Sequence, residues 1–186
     1  SGKGLPAGMI MVIARTVLHI VGREAQQPLE VTTRFSNEMY HRMERGQFMT
    51  LNFLLWHDST RSLQYASAGH EHVLWYHAHS QTCERIRAGG IAVGLVVDSG
   101  SYLSQAELKT SPGDVLLLYT DGVTEARNVS REMFTLQRLE TSFTRQAASG
   151  DPETIQQGIL DDLQDFIGTA EQYDDITLLV LCVEGR

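Results

Sequence analysis

The chain has 186 residues, 42% hydrophobic and 20% charged, with a formal net charge of −8. That length fits one domain around a sizeable core, and that composition excludes a disordered chain. The acidity, with no run of Lys or Arg, argues against nucleic acid or anionic lipid as partners, and the isolated Cys83 and Cys182 argue against a zinc site or a secreted disulfide scaffold.

The apolar residues Met9, Ile10, Val12, Ile13, Val17, Leu18, Ile20 and Val21 cover most of a helical circumference, which predicts a helix over 6–21 buried between layers. Arg15, His19 and Gly8 interrupt the same stretch, so a buried core helix is expected ahead of membrane insertion. Pro28 opens a second helix carrying Val31, Phe35, Met39 and Met43 at fourfold spacing, with Gly46 as its expected stop.

Short strands follow over Phe48–Trp56, Leu63–Ala68, Val73–His79 and Glu84–Arg87, with turn signals at Asp58-Ser-Thr60 and Ser80-Gln81 that predict antiparallel hairpins. Residues 88–94 read as a Gly-rich loop and Tyr102–Leu108 as an alternating strand. Pro112-Gly-Asp114 then turns the chain into Val115–Tyr119, whose continuous apolar run marks a central, buried strand. Two helices are expected next. The second is capped by Asp151, has Pro152 in its first turn and shows an apolar face of Ile155, Ile159, Leu163, Phe166 and Ile167. The apolar strand Ile176–Val183 closes the chain. Helices bracketing a mostly antiparallel sheet system define an α+β fold in a single domain, residues 1–186.

Two aspartates stand at strand ends. Asp121 follows Val115–Tyr119 and precedes Gly122, where a missing side chain lets the backbone approach a ligand closely; Asp174, beside Asp175, precedes Ile176–Val183. If the two strands are antiparallel neighbours, both carboxylates converge. Converging anions call for a proton or a cation between them, and oxygen-only donors favour Mg²⁺ or Mn²⁺ over zinc. Each aspartate taken alone also reads as an ordinary turn residue. Lys3 in Ser-Gly-Lys-Gly lacks the upstream Gly and the Ser/Thr of a P-loop. His72, His77 and His79 lack zinc-type spacing and read as a polar sheet surface.

The segment Ser111-Pro-Gly-Asp-Val-Leu-Leu-Leu-Tyr-Thr-Asp-Gly-Val-Thr-Glu-Ala126 resembles the signature of SpoIIE-like phosphatases, a bacterial branch of the metal-dependent PPM (PP2C-like) protein phosphatases. Ser1-Gly-Lys-Gly-Leu-Pro-Ala7 resembles the tail of that family's first metal motif, Ala68-Gly-His70 its Asn-Ala-Gly-His motif, and Asp174-Asp-Ile-Thr177 its final Asp-Asp/Asn-x-Thr motif. The resemblance implies a PP2C-like α/β/β/α sandwich and two Mn²⁺ or Mg²⁺ ions held by Asp121 and Asp174 as catalytic carboxylates. It gives supporting places to Gly122, Asp175, Thr177 and His70, with Thr120 also orienting the aspartates.

The implied function is hydrolysis of phosphoserine or phosphothreonine on a cytoplasmic regulatory protein such as an anti-sigma-factor antagonist. The alternative is a non-catalytic phosphatase fold that binds a regulatory partner. In the family the first motif reads Asp-x-Ser-Gly-(Lys/His)-Gly, so a chain opening at the Ser is expected to be N-terminally truncated, without the preceding strands and the bridging Asp. An upstream sensory or receiver domain and a homodimer are expected with it, the latter favoured by an exposed sheet edge.

Overall fold

The computed structural model describes residues 4–23, 27–87, 89–172 and 174–185. Ser1, Gly2 and Lys3 of the first motif, and Ala88 of the Gly-rich loop, lie outside them. The chain divides into two compact units, one of residues 1–70 with 88–109 and the other of 71–87 with 110–186.

In the first unit, α1 (Leu5–Gly22) and α2 (Pro28–Tyr40) accompany a three-stranded antiparallel sheet in the order β1-β2-β5, with β1 Leu51–His57, β2 Ser62–Ala68 and β5 Gln105–Lys109. The hairpin pairs Leu51 with Ala68 through to His57 with Ser62, as the turn at 58–60 predicts. Val31, Phe35 and Met39 of α2 are buried with Ala68 and Val93 in the core of this unit, and α2 lies on β1 and β2. Two side-chain amides tie the loops down: Gln105 Oε1 accepts from the Leu29 amide at 3.0 Å, and Asn37 Oδ1 accepts from the Ser99 amide at 3.1 Å.

Three expectations change here. The first helix forms where predicted, but it is not buried between layers. Ala14, Val17 and Val21 face the core, while Leu5, Met9, Met11, Val12 and Ile20 are more than half exposed. An all-apolar circumference permits burial on every side, yet α1 is covered on one side only. By length and hydropathy it is also long and apolar enough to cross a membrane. The second helix ends at Tyr40, six residues before Gly46, which serves a later turn at φ +89°. Tyr102 belongs to a 3-10 turn, Gly100–Tyr102, and the strand starts only at Gln105.

The second unit is built on a four-stranded antiparallel sheet in the order β4-β3-β6-β7, with β3 Val73–His77, β4 Thr82–Ile86, β6 Val115–Tyr119 and β7 Leu178–Cys182. As its sequence requires, β6 is interior, flanked by β3 and β7 and buried at all five residues. Three helices follow it rather than two: α3 (Asp121–Thr124), α4 (Thr135–Ala147) and α5 (Pro152–Ile167). A single turn such as α3 carries no hydrophobic period to read. Asp151 caps α5 as expected, accepting from the Thr154 amide at 2.8 Å. Leu139 and Phe143 of α4 join Ile155, Ile159 and Leu163 of α5 over Leu74, Leu117 and Tyr119, making a second hydrophobic core.

Candidate metal centre

Strand β6 is held at both ends, and each end has its own device. At its start the Asp114 carboxylate is 3% exposed and accepts three hydrogen bonds, from Trp75 Nε1 at 3.2 Å, the Ala78 amide at 3.0 Å and the Ser111 amide at 2.9 Å. A buried carboxylate is tolerable only with such donors, and these fix the turn before the strand. In the sequence Asp114 is a turn residue only, because nothing in a linear pattern shows that Trp75 and Ala78 stand beside it.

At the other end, β6 and β7 pair antiparallel from Val115–Cys182 to Tyr119–Leu178. The pairing continues one step further, since the Thr120 amide donates to the Thr177 carbonyl at 3.2 Å. Asp121 and Asp174 therefore leave the same end of two neighbouring strands, as the strand-end positions predicted. Gly122 presses directly on the other segment: a Cβ built on it would lie 2.2 Å from the Asp175 carbonyl oxygen and 2.9 Å from its carbon. Only a residue without a side chain allows the α3 turn to approach the Asp174–Asp175 backbone this closely.

Asp121, Asp174, Asp175 and Thr177 are all exposed. Among the described residues no hydrogen bond or ion pair engages the Asp121 carboxylate, whose main-chain carbonyl accepts from the Glu125 amide at 2.8 Å. Asp174 Oδ1 accepts from the Asp175 amide at 2.9 Å, and its carbonyl accepts from Gln172 Nε2 at 2.8 Å. Among the described residues, no three His, Cys, Asp or Glu side chains come together. What the two strand ends offer is carboxylate and carbonyl oxygen. It suits a hard divalent cation, since Mg²⁺ is commonly held by one or two carboxylates with waters and substrate phosphate completing its shell.

His70 belongs to the first unit, where its Nδ1 meets the Thr50 hydroxyl at 2.9 Å. The preceding Gly69 has φ +67° and stands against Ala92, which explains a glycine at that place in the motif. His77 contacts Glu84 at 3.0 Å and stacks against Trp75 with ring centroids 4.2 Å apart, while His72 accepts from Arg87 Nε at 3.2 Å. Buried Tyr119, one residue before Thr120, has its phenol pushed above the ordinary range by desolvation first and then by the charges of Glu71 and Glu140, so it stays neutral.

Architecturally the chain is a PP2C-type fold. The SiaA-PP2C domain of Pseudomonas aeruginosa aligns with a TM-score of 0.84 at 19% identity, covering 99% of this chain and 72% of that one. A structure of the RsbU and RsbW domains of Rv1364c from Mycobacterium tuberculosis aligns at 0.77 with 20% identity, covering 98% and 49%. In sequence, the family model for stage II sporulation protein E (SpoIIE) matches residues 1–184, and the chain belongs to the SpoIIE family. Phosphoserine phosphatase RsbU of Bacillus subtilis is 28% identical over 97% of the chain, and protein IcfG of Synechocystis is 34% identical over 96%. The chain spans 52% of the first relative's length and 32% of the second's.

Proposed function

We propose that residues 1–186 act as one metal-dependent protein phosphatase domain that hydrolyses phosphoserine or phosphothreonine on a regulatory protein such as an anti-sigma-factor antagonist. The observation that carries this reading is the continuation of the β6–β7 ladder to Thr120 and Thr177, which brings Asp121 and Asp174 out together. Family membership supports it, and so does the printed activity of the RsbU relative. A solved RsbX structure in complex with magnesium and a SpoIIE phosphatase-domain structure presoaked in manganese favour a divalent cation, and we assign two Mn²⁺ or Mg²⁺ ions.

Asp121 and Asp174 would hold the cations, Gly122 lets the Asp175 backbone close on the α3 turn that carries Asp121, and Asp175 and Thr177 would support Asp174. Bound divalent cations supply Lewis acidity toward the phosphate ester and its attacking water, so no covalent enzyme intermediate is needed. Local positive charge of this kind attracts a phosphate despite the net charge of −8. His70 we assign to shaping its loop, beside Thr50, ahead of a general-acid role. The half-buried free thiols Cys83 and Cys182 suit a cytoplasmic protein. A sensory or receiver segment in the same protein and a homodimer complete the reading.

The test is Mn²⁺-dependent release of phosphate from a phosphoserine peptide by a version extended upstream to include the Asp of the first metal motif. Asp121→Asn and Asp174→Asn should each lower the rate by at least about 100-fold while the protein stays folded. Robust turnover by either variant sinks the metal assignment. No turnover by the parent protein, together with tight capture of the phosphorylated partner, would favour the non-catalytic alternative.

A further inference from the structure

Thr120 occupies the point where the chain must serve two structures at once. Its carbonyl would continue the β6–β7 ladder by accepting from the Thr177 amide, but the α3 turn takes that carbonyl, which accepts from the Val123 amide at 3.0 Å. The Thr120 hydroxyl substitutes for it, with Oγ1 accepting from the Thr177 amide at 3.1 Å. The same hydroxyl donates to the Asp175 carbonyl at 3.3 Å, using both the acceptor and the donor capacity of one oxygen. Thr120 has extended backbone angles, φ −99° and ψ 161°, and its side chain does not cap α3, because it is committed across the strands.

We propose that the Thr120 side chain is the positioning residue of the metal centre: a hydroxyl clip that fixes the Asp174–Asp175 segment against Asp121. The clip spans Asp175 and Thr177 on one side, while Gly122 closes on the Asp175 carbonyl from the other. With the clip in place, the chain turns sharply after Tyr119, so Asp121 projects at the strand end while the Thr177 amide keeps an acceptor. Without the hydroxyl, the Thr177 amide loses its partner and the Asp175 carbonyl loses its donor, which loosens the segment before β7. Groups that orient metal ligands typically alter metal affinity by about 10–100-fold when removed. This proposal rests on the metal reading above.

The experiment compares Thr120→Val, which keeps shape and loses both hydrogen bonds, with Thr120→Ser, which keeps both. Two readouts are taken on the purified protein extended upstream to include the Asp of the first metal motif, which serves as the parent. Calorimetric titration with Mn²⁺ should show affinity about 10-fold or more weaker for Thr120→Val and close to the parent for Thr120→Ser. Hydrogen exchange in the metal-free protein should show the Thr177 amide exchanging faster in Thr120→Val, with protection restored in Thr120→Ser. Equal Mn²⁺ affinity in the parent and Thr120→Val overturns the clip, as does a Thr120→Ser variant that behaves like valine. A parent protein that binds no Mn²⁺ overturns the metal reading itself and the clip's role with it, whereas a failure confined to Thr120→Val leaves that reading standing.

Discussion

Replacing Gly122 with alanine adds one methyl group at the most crowded backbone contact around the two aspartates. Gly122 lies within α3 and has no positive φ, so alanine suits its backbone and space alone opposes the change. The added Cβ would stand 2.2 Å from the Asp175 carbonyl oxygen, and restoring an ordinary carbon–oxygen contact of about 3.3 Å requires the two segments to separate by about 1 Å. The obstacle is main chain, so no rotamer relieves it, and the displacement falls on Asp174–Asp175. Misplacement on the order of 1 Å costs about 100-fold in rate, whereas overpacking costs about 1–3 kcal/mol in stability. Gly122→Ala should therefore fold, with a lowered urea midpoint, and lose about two orders of magnitude in Mn²⁺-dependent phosphopeptide hydrolysis. Parent-like Mn²⁺ affinity and turnover in a folded Gly122→Ala protein would refute the argument that this contact sets the spacing of the carboxylates.

Two further outcomes concern stability. Thr135 opens α4 at φ +72°, a left-handed conformation that costs an L-residue about 1–2 kcal/mol and a β-branched one most of all, so Thr135→Gly should gain on the order of 1 kcal/mol in urea denaturation. A loss would mean that the threonine side chain offsets its own strain. Asp151 is held below the ordinary carboxylate range by the Thr154 hydroxyl and then by its amide. A depressed folded-state pKa contributes stability that is present above the unfolded value of about 3.9 and is lost as pH falls through the folded value. Asp151→Ala should be less stable than the parent at pH 7, with the gap narrowing once the pH drops below about 4; a gap that does not change with pH would assign the loss to something other than the charge.

The central strand and the α5 cap were legible because each has a local cause. Five consecutive apolar residues need covering on both faces, and an Asp-Pro pair supplies an acceptor and a preset φ at a helix start. The pairing of Asp121 with Asp174 was legible as a conditional statement, and the β6–β7 register met its condition. What escaped the sequence depends on contacts between distant segments. The crowding of Gly122 against Asp175, the three donors on Asp114 and the double duty of the Thr120 hydroxyl all arise from partners remote in the chain. The early end of α2 and the exposed side of α1 escaped for a related reason. A glycine permits a stop without compelling one, and an apolar circumference does not say which side a neighbour will cover.

The division into two units has a consequence for anyone wishing to dissect the protein. The backbone passes from the first unit to the second after His70, returns after Arg87 and leaves again after Lys109. Neither unit is a contiguous stretch of sequence, so no single cut by a protease or at the gene level separates them into self-contained pieces. A deletion confined to 71–87 would strip β6 of one neighbour, β3, while leaving the sheet of the first unit intact in sequence. An excised fragment ending between Arg87 and Lys109 would keep β3 and β4 but not β6 and β7, and so would carry an orphaned hairpin. A split-protein reporter built on this fold has to follow that braid of connections and not the order of the residues.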